Sequence, residues 1–165
     1  MIRCIFVVMT IACIGCQPSG PLPKAAYVIA AYDESAALTA SGDTWGRAME
    51  PWFHGKTADI DAIADAQVNL NRTLKSVRSK LDALDAPDDP TTAEFTELIH
   101  EYLDWQAETH DTYAKWLATA RAENPATIET RQAVIDEMND LNETELEWKS
   151  RINTFGEKLG VTVGG

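Results

Sequence analysis

Cysteine is absent from this sequence after position 16, and the three cysteines that are present, Cys4, Cys13 and Cys16, lie close to the N-terminus. Residues 17–165 therefore hold no thiol. This absence excludes a disulfide framework, a cysteine nucleophile and a cysteine-ligated metal site from that part of the chain.

Recognisable catalytic motifs are missing as well. The sequence contains no glycine-rich phosphate loop, no Gly-x-Ser-x-Gly and no His-Glu-x-x-His, the patterns that supply a phosphate cradle, a nucleophile or a zinc site in many enzymes. It has no Cys-x-x-Cys-His, which excludes the usual covalent attachment of haem. Carboxylates are plentiful, but none stands out as a catalytic pair. We therefore expect a non-catalytic protein without a bound cofactor.

Positive charge is scarce in this chain. Its 14 lysines and arginines are outnumbered by 26 aspartates and glutamates, so the formal net charge is -12. Such a surface repels nucleic acid and anionic lipid headgroups, and it suits solubility, cation attraction or a basic protein partner. The length of 165 residues suits one domain, and the 45% of hydrophobic residues is typical of a globular one.

The first 15 residues, MIRCIFVVMTIACIG, combine one positive charge at Arg3 with an apolar stretch from Cys4 to Ile14. This stretch suits a signal peptide and is too short for a membrane-spanning helix, which needs about 20 residues. Small Gly15 then precedes Cys16. The segment resembles the lipobox-type signal peptide of bacterial lipoproteins. That resemblance implies that cleavage makes Cys16 the first residue and that its thiol carries a diacylglycerol.

Alternatives stay open for this segment. The third position before the lipidated cysteine is usually aliphatic in the family pattern, whereas this chain has Cys13 there. Cys13 is itself a second candidate for lipidation, because Ala12 precedes it. Cys16 is preferred because it leaves a longer apolar region and is followed at once by the tether-like QPSGPLPK. An ordinary secretory signal and an uncleaved apolar helix are the other two alternatives.

The resemblance also implies a location in the bacterial cell envelope. A lipid on Cys16 would anchor the protein to a membrane, and residues 16–23 would form the lipidated cysteine and a flexible tether. The rest of the chain would then face the periplasm. Gln17 occupies the position where some inner-membrane lipoproteins carry aspartate, so the resemblance favours the outer membrane.

From Lys24 onward, apolar residues recur at alternate steps of three and four, which places them on one face of a helix. Pro51 and Pro87 are expected to end the first two helices, and Asn124-Pro125 to supply the N-cap and first residue of the fourth. The pattern leaves open whether the first helix is broken at Ser41-Gly42-Asp43. The pattern predicts helices over about residues 24–49, 57–85, 91–121 and 125–159, followed by a frayed tail at 161–165.

Four amphipathic segments joined by short turns predict an all-α fold, an antiparallel up-down four-helix bundle over residues 24–160. The sustained three-four spacing predicts left-handed, coiled-coil-like packing with crossing angles of about 20°. A parallel coiled-coil dimer is the alternative. The proline-marked turns favour a chain that folds back on itself, so we expect a monomer.

Glu97 and His100 form a Glu-x-x-His element like that of carboxylate-bridged di-iron bundles, where side chains at i and i+3 reach one metal. The sequence has no second copy of this element. The apolar stripe of the third helix passes through Leu98 and Tyr102, which places Glu97 and His100 on its flanks. They are weak metal candidates, and no metal site is predicted.

A row of acidic residues follows the apolar stripe of the third helix on a neighbouring face: Glu97, Glu101, Asp104, Glu108 and Asp111. Such a row attracts cations or a basic partner, but a solvated face is the usual role of a run of like charges. It lacks the loop geometry of an EF-hand calcium site.

Glu145 interrupts the apolar stripe of the fourth helix. A carboxylate at a core position is costly unless it is paired or reaches water. We expect an ion pair with Arg72, Lys75 or Arg78 of the second helix, which would fix the register between the two helices. A position at the rim of the core, where the carboxylate reaches water, is the alternative.

Three functions remain. We favour a membrane-tethered interaction module whose acidic row docks another envelope protein. The second is a small-ligand or cation-binding bundle, similar in shape to the periplasmic domains of chemoreceptors, an analogy that rests on architecture alone. A metal- or haem-dependent enzyme ranks third, because core packing is the expected role of the aromatic residues in the third and fourth helices, Tyr102, Trp105, Tyr113, Trp116 and Trp148.

Replacing Cys16 with serine tests the anchor. Without the thiol no diacylglycerol attaches, so we expect the Cys16→Ser protein to move from the membrane to the soluble fraction when cells are fractionated. A variant that stayed firmly bound to membranes would contradict this placement of the anchor.

Overall fold

A computed structural model describes residues 22–161. Within this range the only regular secondary structure is helical, and there is no strand. The four helices are α1 (Lys24–Phe53), α2 (Ile60–Asp82), α3 (Pro90–Ala122) and α4 (Ile128–Lys158). The all-α class predicted from the sequence is therefore confirmed. The predicted signal peptide, Cys16 and most of the tether and tail lie outside the described residues.

Helix α1 is longer than the sequence pattern predicts. It runs unbroken through Ser41-Gly42-Asp43, which answers the question that the pattern leaves open. It also continues past Pro51, so the predicted end at Met49 is wrong. Proline removes one backbone hydrogen-bond donor from a helix, but packing outweighs this loss. Met49 and Trp52 on either side of Pro51 are completely buried, and burial of such large apolar side chains holds the last turn in place.

Local side chains set where the other helices begin. Asp59 caps α2 by accepting the backbone N–H groups of Asp61 and Ala62. Asp89 caps α3, with Pro90 as its first residue, and the ordinary preferences for a carboxylate cap and an N1 proline explain both choices. Helix α4 starts three residues later than predicted, because its cap is Thr127.

The predicted cap of α4, Asn124, has a different role. Its side-chain amide accepts the N–H of Ala58 and donates to the carbonyl of the same residue, both at 2.9 Å. The indole of Trp52 donates to the carbonyl of Glu123 at 2.8 Å. These bonds join the α1–α2 connection to the α3–α4 connection at one end of the molecule. They also satisfy buried polar groups that α-helix ends otherwise leave without partners.

The interior contains two apolar clusters. One is built around Tyr27, Val28, Phe95 and Leu103, and the other around Trp45, Trp52, Ile63 and Trp116. Along α3 the two clusters are separated by buried polar residues, Gln106, Thr109 and His110. The core is therefore interrupted near the middle of the helices.

Consecutive helices contact each other, and α1 also contacts α4. Helix α4 buries the fewest residues: among its 31 residues only Val134, Ile152 and Gly156 are buried. None of the helices within residues 22–161 combines the length and apolar character needed to cross a membrane.

The Trp52→Phe variant tests the link between the two connections. Removing the indole N–H leaves the Glu123 carbonyl without its donor and should lower the free energy of unfolding by about 1–3 kcal/mol. Urea denaturation measures this change. Trp105→Phe is the matched control, because Trp105 is only half-buried, and we expect it to change stability by less than about 1 kcal/mol. Equal losses in the two variants would contradict the role of the Trp52 hydrogen bond.

Candidate functional site

A cavity of about 510 Å³ opens where the core is interrupted. Its walls come from the second half of α1 and from the middle of α3 and α4, with Leu70 contributed by α2. This volume falls within the range of about 300–1,000 Å³ that is typical of small-molecule sites.

The cavity exists because α4 does not seal the interior along its middle turns. Between Val134 and Ile152 no residue of α4 is buried, and the stripe positions Met138, Leu141 and Trp148 are only half-buried. Glu145 occupies the remaining position of that stripe. A carboxylate cannot pack into an apolar interior without a large desolvation cost. This part of α4 therefore leaves the space beneath it unfilled.

Aromatic rings form much of the cavity wall. Trp45 of α1 stacks on Tyr113 of α3 with ring centroids 4.4 Å apart and planes within 14°. Trp116 lies 5.2 Å from Tyr113. Further along α3, Tyr102 packs against Trp105 at 5.9 Å and against Trp148 of α4 at 6.2 Å. The expected meeting of Trp148 with the aromatic residues of the third helix is confirmed.

Three residues that line the cavity each have a buried polar atom without a hydrogen-bond partner among residues 22–161. They are the indole nitrogen of Trp45, the hydroxyl of Thr109 and Nδ1 of His110. All three residues are 3% exposed. Each such atom costs about 1–3 kcal/mol when it is left unsatisfied in the interior, so these residues have unused hydrogen-bonding capacity next to the cavity.

Neighbouring amides hold the backbone and side chains of this wall in position. Gln67 of α2 donates to the carbonyl of His110 at 3.1 Å, and Gln106 donates to the Tyr102 hydroxyl at 2.8 Å. Both glutamine side chains are buried. They fix the polar middle of α3 against α2 and keep the aromatic wall in one arrangement.

His110 is neutral in the folded protein at pH 7. Burial lowers the pKa of its imidazole to about 4, and the charge of Asp111 opposes this shift only in part. The ring lies against Tyr113, with centroids 6.1 Å apart. A neutral imidazole carries one donor and one acceptor nitrogen, so His110 offers the cavity a hydrogen-bonding group without a charge.

Burial and Glu145 both act on the tyrosines of the cavity wall. Burial raises the pKa of Tyr113 to about 12, with the nearby negative charge of Glu145 as the second cause. The same two causes raise the pKa of Tyr102 further. Both tyrosine hydroxyls therefore stay protonated.

The partner predicted for Glu145 is wrong. Its carboxylate pairs with Lys149 at 2.8 Å, one turn along the same helix, whereas Arg78 pairs with Asp104 of α3. The i,i+4 spacing brings Lys149 within reach without any contact between helices. The Glu145 ion pair therefore does not fix the register of α4 against α2.

The two weak metal candidates lie apart from the cavity. Glu97 is exposed, and His100 lies 3.6 Å from Asp82 of α2. His54 lies 3.8 Å from Glu50 near the end of α1. In the part of the chain that the structure describes, no three His, Cys, Asp or Glu side chains come close enough together to hold a metal ion.

The acidic row on α3 is exposed along its whole length: Glu97, Glu101, Asp104, Glu108 and Asp111. Two of its members are partly neutralised by cations from both neighbouring helices. Asp104 lies 2.6 Å from Arg78 of α2, and Glu101 lies 3.4 Å from Arg151 of α4. Part of the row therefore contributes to contacts between helices.

Sequence reasoning missed His110, Gln106 and Trp45 as members of one site. Thr109 and Tyr113 were placed on the apolar stripe of α3, and a threonine beside a histidine on such a stripe was the available signal. Their contact with Trp45 depends on how α1 packs against α3. The spacing of residues within one helix does not specify how two helices pack.

No family model, curated protein or solved structure matches this chain.

The buried imidazole predicts a pH dependence of stability. The unfolded histidine has its ordinary pKa of 6.5, above the native value of about 4, so the unfolded state binds more protons between these values. The contribution of neutral, buried His110 to the free energy of unfolding is complete above about pH 6.5. It is lost as the pH falls towards 4. Between pH 7 and 4.5 we expect His110→Asn to lose about 2 kcal/mol less stability than the unmodified protein.

Chemical denaturation across this pH range measures the difference between the two proteins. Comparing them removes the shared contribution of acidic groups such as Asp89, whose pKa is lowered to about 2 by its hydrogen bond from Thr92 and its pairing with Lys24. His54→Asn is the control at an exposed histidine. If the unmodified protein and His110→Asn lost stability in parallel as the pH falls, burial would not lower the pKa of the imidazole.

Proposed function

We propose that this chain is a lipid-anchored helical protein of the bacterial envelope that binds a small organic molecule in the cavity between α1, α3 and α4. The single observation that carries the binding role is a cavity of about 510 Å³ whose lining residues include Trp45, Thr109 and His110, each with a buried polar atom that has no partner among residues 22–161. Ligand sites typically combine apolar and aromatic walls with a few such polar groups.

The anchor, the periplasmic location and the preference for the outer membrane rest on the sequence. They are supported by the apolar stretch ending at Gly15-Cys16 and by the proline-rich residues that follow it. A lipid on Cys16 would place the start of α1 near a membrane, since only seven residues separate Cys16 from Lys24. The anchored protein would then work as a binding module, without catalysis and as a monomer.

The proposed arrangement of the helices is an antiparallel up-down bundle with left-handed, coiled-coil-like packing. Contacts between helix ends support it. Near the start of α1, Glu34 pairs with Lys80 at the end of α2 at 2.7 Å. Tyr32 donates to Asn153, near the end of α4, at 3.1 Å. Alternating helix directions bring these pairs together, and the three-four spacing of the stripes supports the shallow crossing angle.

Ligand binding has more support than docking through the acidic row. Exposed carboxylates are well solvated, and two of the five already face cations of neighbouring helices. Surface ion pairs of this kind contribute at most about 1 kcal/mol each. The buried polar atoms of the cavity gain more from a partner, because they lack solvation.

Haem is the second candidate occupant. His110 and Met138 both line the cavity. Histidine and methionine are the two residue types that ligate haem iron in many electron-transfer proteins. The visible spectrum of the purified full chain tests this candidate. A Soret band that is lost in His110→Asn would support it, and a featureless visible spectrum would contradict it.

A neutral fluorescent dye tests the binding role. We expect 6-propionyl-2-dimethylaminonaphthalene to bind the full chain with one-to-one stoichiometry and blue-shifted emission, because aromatic walls exclude water. The Leu141→Trp variant places a larger side chain in the cavity and should weaken this binding by about tenfold or more. Fluorescence titration measures both effects.

Leu146→Trp is the matched control, because Leu146 lies on the same helix and is 67% exposed. It should bind the dye as the unmodified protein does, and circular dichroism should show the same helix content in all three proteins. Absence of dye binding, or equal binding by the two tryptophan variants, would contradict the proposed cavity.

A further inference from the structure

We infer that the cavity selects an organic cation: a molecule with an ammonium group, an apolar or aromatic body and a hydrogen-bond acceptor. This inference rests on the proposed binding function and adds the chemical class of the ligand. It follows from three features of the cavity wall, which are its ring faces, its charges and its unpartnered donor.

The ring faces are the first feature. Six aromatic side chains line the cavity: Trp45, Phe53, Tyr102, Trp105, Tyr113 and Trp116. An ammonium over the face of such a ring is attracted by the quadrupole of the ring, and tryptophan is the strongest partner. The surface of this protein already shows the interaction, since the guanidinium of Arg151 lies 4.3 Å from the ring centre of Trp148.

The charges of the lining are the second feature. Among the acidic and basic side chains of the lining, Asp43, Glu50 and Glu145 outnumber Arg47 and Lys149 by one negative charge. Glu145 is half-buried, with its side chain 28% exposed, whereas the other four residues are exposed. Its field reaches the hydroxyls of both wall tyrosines.

Lys149 currently balances Glu145, but it does so weakly. Its side chain is 47% exposed, and an exposed i,i+4 pair of this type contributes little to stability. A ligand ammonium that enters from the cavity can therefore replace Lys149, which returns to solvent at little cost. The ligand cation would be less exposed than Lys149 and would interact more strongly with the carboxylate.

The unpartnered donor is the third feature. The indole N–H of Trp45 can only donate, so a ligand that satisfies it must carry an acceptor such as a hydroxyl or carbonyl oxygen. Thr109 and neutral His110 can take either role. Nothing on the buried wall supplies a positive charge, which argues against a carboxylate or phosphate ligand. The net charge of -12 also attracts cations over longer distances.

Isothermal titration calorimetry of the full chain tests the inference with three probes of matched shape. The probes are 2-(1-naphthyl)ethylamine, the neutral 2-(1-naphthyl)ethanol and the anionic 1-naphthaleneacetate. We expect the amine to bind about tenfold or more tightly than either of the others. Glu145→Gln should weaken the amine by about fivefold or more and leave the affinity of the alcohol unchanged.

Glu147→Gln is the matched control. It removes the same charge from an exposed position two residues further along α4 and outside the cavity lining. It should leave the affinity of all three probes unchanged, and helix content by circular dichroism should match in every variant.

The outcomes separate this inference from the proposed function. Equal affinity for the three probes, tighter binding of the anion, or an amine affinity that is unchanged in Glu145→Gln would overturn the choice of an organic cation. Each of these results would leave a binding cavity in place. If neither the three probes nor the neutral dye bound, both the inference and the proposed function would fall together.

Discussion

The polar middle of α3 is the constraint on which the rest of the structure depends. Gln106, Thr109 and His110 occupy buried positions where an uninterrupted bundle would carry apolar side chains. Apolar packing therefore divides into two clusters. Each cluster supplies enough burial to hold its own end of the helices together. The fold does not depend on dense packing in the space between the two clusters, and the cavity lies there.

The packing of helix α4 is divided in the same way. Its stripe packs well only near Val134 and Ile152, and its middle carries Glu145 and Asn142 towards the cavity. A helix held at both ends and loosely packed in its middle is suited to admitting a ligand, since local opening has a low cost where few apolar contacts are made. The proposed binding role and the incomplete packing of α4 thus have one physical origin.

Much of the fold followed from the sequence, whereas little of the candidate site did. Three-four spacing located all four helices. The expectation that proline ends a helix failed at Pro51, where the burial of Met49 and Trp52 keeps α1 helical. The capping preference failed at Asn124, whose amide bonds Ala58 instead of capping α4. Both errors have the same cause, because each residue responds to a partner on a distant segment.

The sequence by itself determined the helical class, the acidic character and the resemblance to lipoprotein signal peptides. These properties depend on composition and on spacing within about two helical turns, and both can be read along the chain. The tertiary structure alone decided which polar residues share a cavity. Trp45 and Tyr113 are 68 positions apart yet stack at 4.4 Å. Such a contact is set by how whole helices pack against each other, and periodicity within one helix does not specify it.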